Sequence, residues 1–366
     1  MKTLHLIIGR ACAENAGGAT EWSAFDRATM DRAAAILRAG GLVALPTETV
    51  YGLGANALDR AAVERIFAAK SRPNWDPVIV HVASRAMLNG LVEQIPAAAE
   101  RLMERFWPGP LTLLLRRTAA VPDAVTAGRP LVGVRMPAHP VALDLIRRAG
   151  VPVAAPSANR FGHISPTTAA HVLSDLEGRI DAILDAGPSA HGVESTVIDP
   201  SMRPMLIYRP GAVTAEEIAE AAGPAELYRS AEPLRALPVE AMPSPGVGIR
   251  HYAPRARLVL VEARAQETAE LLTELGERLL AAAQSEPGET LGVMLPESVG
   301  APAAIARERV FAWGSWAAPE ELAQRLYAGL RALDAAGCTV ILCPLPAARG
   351  LGAAIRDRLL KAGRKA

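Results

Sequence analysis

Four basic residues stand where apolar runs of this 366-residue chain give way to loops. Lys70 and Arg72 open the stretch KSRPNWDPVIVH (70–81), Arg135 closes the run 131–134, and Arg209 follows Leu206-Ile207-Tyr208. Hydroxyls and amides occupy similar junctions. Thr49 lies in PTETVYGLG (46–54), Ser157 and Asn159 in PSAN, Ser165 in Ser-Pro-Thr, and Ser195 and Thr196 at the head of STVID. His81 ends the run that begins at Val78. A guanidinium is a planar fork that holds phosphate or carboxylate through two parallel hydrogen bonds. Hydroxyls and N–H groups at a helix start add donors for the same anions. Four cations in that company suit a polyanion such as a nucleoside triphosphate. Each residue also has a plainer reading. An arginine at a strand end is often a surface charge, Ser165 and Pro166 look like the N-cap and first turn of the next helix, and His81 fits a half-buried structural histidine. Spacing alone does not join them into one site.

The elements that would position these groups alternate between helix and strand. Residues 25–39 have helical spacing and stop at Gly40-Gly41. Helical stretches recur at 60–70, 85–92, 96–106, 140–149, 167–176 and 214–222, and short apolar runs at 42–45, 78–82, 111–115, 131–134, 151–155, 182–185 and 195–199. The irregular alternation predicts an α/β domain with a mixed sheet. Strand ends converge in such a fold, so the polar groups could line one cavity. Residues 1–24 read as a variable lead-in and 25–222 as the first domain. Prolines break every run across 223–255, which reads as a linker ending in SPGVGIRHYAP (244–254). From 256 the rhythm is cleaner. Strands at 258–261, 291–295, 310–313 and 340–343 alternate with helices at 265–283, 301–307, 318–336 and 351–362, which predicts a small parallel, Rossmann-like sheet over 256–366.

Composition narrows the chemistry. Half of the residues are hydrophobic, the formal net charge is +1, and only 4% are aromatic. A globally basic nucleic-acid binder is excluded, although a local basic cleft is not. Cys12, Cys338 and Cys343 form no zinc-like cluster, so no protein metal site is expected. The apolar run 4–8 is too short for a signal-peptide core, and no stretch is long enough to span a bilayer, so a cytoplasmic location without membrane contact is expected. GxxxxGK[ST] is absent. Gly52-Leu53-Gly54-Ala55-Asn56-Ala57 satisfies a dinucleotide fingerprint, with Asp76 some way on, but PTETVY separates it from the preceding strand. Gly187-Pro188-Ser189-Ala190-His191 lacks the last glycine of a nucleophile elbow.

Taken together, PTETVYGLG, KSRPNWDPVIVH, WPGPLTLLL (107–115), VRMP (134–137), PSANRFGHISPT (156–167), ESTVID (194–199) and RPGAVT (209–214) resemble, in order, the YrdC-type domain of the L-threonylcarbamoyladenylate synthase family. The SPG…RHYAP segment and GLGAAIRDRLLKA (350–362) resemble that family's long, two-domain form, so the similarity spans about residues 25–362. The resemblance implies a YrdC-like twisted mixed sheet with helices around a concave cavity, plus a smaller C-terminal Rossmann-like α/β domain. It implies synthesis of threonylcarbamoyl-AMP and pyrophosphate from L-threonine, bicarbonate or CO2, and ATP with Mg²⁺. A tRNA threonylcarbamoyl transferase complex would then carry the group to the adenosine beside the anticodon. By motif, Thr49, His81, Arg135, Ala155 and Ser195 would hold threonine or its carbamate. Lys70, Arg72, Asp76, Ser157, Asn159, Ser165, Arg209 and Tyr252 would hold ATP, with Lys70, Arg72 and Arg135 catalytic. The linker would close over the site through Tyr252, together with Arg250. The chain departs from the family's usual pattern at Asp76, Phe161 and Gly248, which touches the nucleotide contacts. The alternative from another class is a non-catalytic RNA-binding or ribosome-associated module using the same basic cavity. Weak RNA binding is a further expectation. Carbamoyl-adenylate chemistry of the hydrogenase-maturation type is disfavoured, because neither zinc-finger cysteines nor an acylphosphatase-like segment is present.

Overall fold

The computed structural model describes residues 2–9, 13–14, 20–228, 251–264 and 268–364. It divides into two compact units. The first takes Met1–Phe161, Ser165–Ala190 and Glu194–Gly248, and the second Gly162–Ile164, His191–Val193 and Ile249–Ala366.

In chain order the first unit opens with β1 (Leu4–Ile7), the ribbon β2 (Ala13–Glu14) and β3 (Thr20–Glu21), α1 (Ala24–Arg38), β4 (Val43–Leu45) and β5 (Gly52–Asn56). It continues with α2 (Arg60–Lys70), β6 (Val80–His81), α3 (Arg85–Leu91), α4 (Ala97–Phe106), β7 (Leu111–Arg116), α5 (Asp123–Thr126) and β8 (Leu131–Arg135). The rest is α6 (Pro140–Ala149), β9 (Val153–Ala154), α7 (Ala169–Leu176), β10 (Ala182–Asp185), β11 (Thr196–Asp199), β12 (Met205–Arg209), α8 (Ala215–Ala222) and β13 (Ala225–Leu227). The main sheet has 11 strands in the order β1-β10-β4-β5-β9-β6-β8-β7-β11-β12-β13 and mixes parallel and antiparallel pairs.

Side chains that alternate along the central strands feed two separate cores. Ala44, Ala154 and Ile183 join one cluster, while Val43, Leu45, Val153, Ala155, Ala182 and Leu184 join the other. Helices cover both faces, as strands apolar on both sides require. Local caps set the helix starts. Ser23 accepts from the Asp26 N–H, and Asp59 accepts from the Ala61 and Ala62 N–H groups.

Several sequence expectations need correction. The first domain does not wait for residue 25. Leu4–Ile7 pairs in parallel with Ala182–Asp185, and Trp22 is buried in the same core as α1. The head of the Pro-rich stretch is likewise sheet, because Ala225–Leu227 extends the edge beside β12. Residues 229–250 of the linker, including Gly248 and Arg250, lie outside the described residues. The helix at 167–176 starts at Ala169 with Thr168 as its cap, not Ser165.

The second unit contains β14 (Arg257–Val261), α9 (Thr268–Gln284), β15 (Leu291–Pro296), β16 (Val310–Gly314), α10 (Pro319–Ala335), β17 (Val340–Pro344) and α11 (Gly350–Ala362). Its four strands are ordered β14-β17-β15-β16 and all pair in parallel. Leu275, Leu279 and Ala283, one turn apart on α9, pack on this sheet. In place of a helix at 301–307 there is one 3-10 turn, Arg307–Arg309. No helix of the described residues is long and apolar enough to cross a membrane.

Candidate functional site

The mixed topology of the first unit brings distant motifs to neighbouring positions. In β6, β8 and β9, His81 pairs with Arg135 on one side and with Val153 on the other. The PTETVYGLG loop is stitched to PSAN through Tyr51, whose N–H donates to Pro166 O and whose carbonyl accepts from Ala158 N. Leu53 N donates to Pro156 O.

Two groups of charge result. In the first, Arg135 is buried, with Nη1 2.9 Å from Thr49 Oγ1, Nη2 2.6 Å from Glu48 Oε1 and Nε donating to Gly109 O. Thr49 Oγ1 also meets Thr47 Oγ1 at 2.8 Å. Burial pushes the Glu48 carboxyl up, but the charge and hydrogen bond of Arg135 outweigh it and hold the pKa at about 2. His81 is buried too. Loss of solvent, then the Arg135 charge, pushes its imidazole down to about 3, so the ring is neutral. Ala155 lies beside them, its N–H donating to Ile79 O.

The second group surrounds Asp76. The Asp76 side chain is fully buried and its Oδ2 lies 2.9 Å from Arg72 Nη2. Arg72 also donates to the carbonyls of Asp76 and Pro77, which folds the guanidinium back onto its own proline-stiffened loop. Burial raises the Asp76 pKa, and Arg72, Lys70 and Arg209 oppose that rise. Lys70, the last residue of α2, is 1% exposed, and its Nζ donates to the carbonyls of Ser157 and Asn159. Desolvation first, and then Arg72, push its pKa well below the usual lysine value. Arg209 binds Ser195 twice, through Nε to the carbonyl at 3.0 Å and through Nη2 to Oγ at 3.1 Å. Thr112 Oγ1 closes on the same Ser195 hydroxyl at 2.8 Å. Ser165 caps no helix. Its hydroxyl donates to Glu194 Oε1 at 2.6 Å.

Glu48 and Glu194 were missed by sequence reasoning, which followed cations. The available signal was their place inside PTETVYGLG and ESTVID, adjoining Thr49 and Ser195. Tyr252 belongs to the second unit, where it is buried at φ 64°. Its ring stacks on Tyr327 at 5.8 Å, with the Arg358 guanidinium 5.2 Å from its centre. Among the described residues no three His, Cys, Asp or Glu side chains cluster as a metal cage.

Comparison with known proteins places this geometry. A family profile described as telomere recombination, for Sua5, YciO and YrdC proteins, matches residues 35–211. A second, described as threonylcarbamoyl-AMP synthase, C-terminal domain, matches residues 213–363. The threonylcarbamoyl-AMP synthase of Pyrococcus abyssi (strain GE5 / Orsay) is 44% identical over 330 residues, 90% of this chain and 92% of the relative. That of Bacillus subtilis (strain 168) is 41% identical over 332 residues, with the same coverage of 90% and 92%. The crystal structure of P. abyssi Sua5 complexed with L-threonine matches with a TM-score of 0.84 at 40% identity, covering 99% of this chain and 98% of that one. Fold and relatives therefore define a YrdC-type α/β enzyme of the nucleotidyltransferase class. The chain belongs to the threonylcarbamoyl-AMP synthase family, in its two-domain form.

Proposed function

We propose that this chain condenses L-threonine, bicarbonate or CO2, and ATP into threonylcarbamoyl-AMP and pyrophosphate. The product would be passed to a tRNA threonylcarbamoyl transferase complex acting beside the anticodon. The observation that carries this reading is the pairing of two buried cation groups in one unit. Arg135 with Thr49 and a neutral His81 forms one, and Arg72, Lys70 and Arg209 around Asp76 form the other.

In this reading Arg135 takes the amino-acid carboxylate, while His81, neutral at working pH, accepts the threonine hydroxyl proton in a hydrogen bond. Ala155 and Ser195 are assigned to the same ligand. The amine nitrogen bonds to the carbon of CO2, one C=O π pair moves onto oxygen to give the carbamate anion, and the amine proton leaves to water. If bicarbonate is the donor, water leaves. A carbamate oxygen then attacks the α-phosphorus as the bond to the β-phosphate oxygen breaks, and pyrophosphate departs. No covalent enzyme intermediate is needed, so the chain contributes position and charge. Arg72, Arg209, Ser157, Asn159 and Ser165 are the groups assigned to the nucleotide. Mg²⁺ fits as a companion of the ATP phosphates rather than as a protein-held ion, since the buried Asp76 is engaged by Arg72.

The test is pyrophosphate release by the purified full chain with ATP and Mg²⁺, with threonine and bicarbonate each added or withheld. Release that needs both supports the reading. A folded protein that releases none under any condition overturns it.

A further inference from the structure

Trp75 and Phe161 form an aromatic pair outside both cores of the first unit. Their ring centres are 6.1 Å apart and their planes 85° apart, an edge-to-face contact. Both residues are only half-buried. The chain uses aromatics sparingly, and its four other tryptophans, Trp22, Trp107, Trp313 and Trp316, are buried or packed on core clusters. Trp75 thus departs from how the chain otherwise places this residue type.

The pair is tied to the cation group. The Arg72 guanidinium carbon lies 5.9 Å from the centre of the Phe161 ring. Phe161 N donates to Lys70 O at 2.8 Å, and Lys70 Nζ holds the Ser157 and Asn159 carbonyls just upstream of Phe161. The end of α2 therefore fixes both the cations and the ring. A partly buried aromatic pair beside buried cations is the chemistry of a base-stacking platform, because every nucleobase offers a π-face. The perpendicular rings add a second contact. A base stacked on the ring that presents its edge would repeat that edge-to-face contact with the other.

We propose that Trp75 and Phe161 form the nucleobase platform of the ATP site, setting affinity for the base while Arg72 and its neighbours set affinity for the phosphates. This rests on the nucleotide reading above and deepens it.

The test compares two probes, ATP and inorganic tripolyphosphate, by titration calorimetry on the full chain. Trp75→Ala and Phe161→Ala are each expected to weaken ATP about tenfold and to leave tripolyphosphate unchanged. Trp75→Phe, which keeps a ring, is expected to stay within about threefold of the original chain for ATP. Unchanged tripolyphosphate binding also shows that each variant is folded. Equal loss of both probes, or no loss of ATP, overturns the platform. If the unsubstituted chain binds tripolyphosphate but not ATP, the base contact fails and the anion site survives. If it binds neither, the nucleotide reading itself fails and the platform falls with it.

Discussion

Arg135 and Glu48 form an ion pair almost out of water, with Nη2 2.6 Å from Oε1 and side chains 4% and 9% exposed. The guanidinium proposed for the substrate carboxylate therefore already carries a carboxylate of its own, on the residue next to Thr49. Pairs of this kind are costly to break from one side, because the surviving charge stays buried without compensation.

Glu48→Ala is accordingly expected to destabilise the first unit by about 3 kcal/mol, and Arg135→Ala by a similar amount. The double variant should cost less than the sum, since neither orphan charge remains. Acid provides an independent check. The folded pKa of Glu48 is depressed to about 2 from its ordinary 4.5, so its stabilisation is present above the unfolded value and lost as pH falls through the folded one. Denaturant melts should show a loss of about 3 kcal/mol between roughly pH 4.5 and pH 2 that Glu48→Gln does not share. Identical acid profiles for the two chains would remove Glu48 as the cause.

His81 predicts a second pH effect, in a higher window. Its folded pKa of about 3 lies below the unfolded value of 6.5, so the unfolded chain binds a proton first. Stability is full above about pH 6.5 and should fall by about 1 kcal/mol per pH unit on acidification toward pH 3. His81→Asn should remove that slope. Nitrogen-15 shifts of the His81 ring should report a neutral imidazole at pH 5. A charged ring at that pH would contradict the burial and the Arg135 contact as its governing influences.

Most of the regular structure was legible because buried strands and amphipathic helices leave periodic traces. The helices at 60–70 and 140–149 and the strand at 182–185 fall at the expected residues. Strand β5 was hidden. Gly52 and Gly54 offer no side-chain pattern and imitate a dinucleotide fingerprint, yet they lie in a strand between β4 and β9. A Cβ on Gly54 would come within 2.8 Å of Leu45 Cδ2 and 2.9 Å of Val153 Cγ1, so close strand packing, not phosphate, explains that glycine. The site was half legible. Cations at strand ends stand out in one dimension, whereas Glu48 with Arg135 and Ser165 with Glu194 depend on pairings 87 and 29 residues apart.

Glycines give a contrast within one unit. At Gly211 an added Cβ would lie 2.4 Å from both Glu194 O and Thr196 N, in backbone flanking Ser195. Gly211→Ala must push the RPGAVT loop away from that strand, and the hydroxyl of Ser195 moves with it. At Gly90, exposed in α3, nothing lies within 4 Å of the new atom. Gly90→Ala is expected to stabilise by about 0.5–1 kcal/mol through helix propensity alone. Gly211→Ala should lower the melting temperature and reduce pyrophosphate release at least tenfold. Equal behaviour of the two variants would deny the close approach at Gly211.

Lys70 offers the sharpest choice between two roles. Motif resemblance places it on phosphate, whereas its Nζ donates to the carbonyls of Ser157 and Asn159 with 1% of the residue exposed. Lys70→Met keeps the stem and removes the donor, so two carbonyl oxygens in a dry place lose a partner. Such losses cost about 1–3 kcal/mol for each group left unsatisfied. A residue that clamps the PSAN turn should therefore lose several degrees of melting temperature when changed to methionine, in the absence of any ligand. ATP binding should weaken as a consequence, because Ser157, Asn159 and Phe161 all hang from that turn. A residue that serves phosphate alone would show the reverse: an unchanged or higher melting temperature, with loss confined to ATP and tripolyphosphate. Lys70→Arg separates the two further. A phosphate ligand should tolerate the larger cation, while a clamp closed on two backbone carbonyls has no room for a guanidinium. The expected outcome is that arginine fails to rescue either stability or ATP affinity.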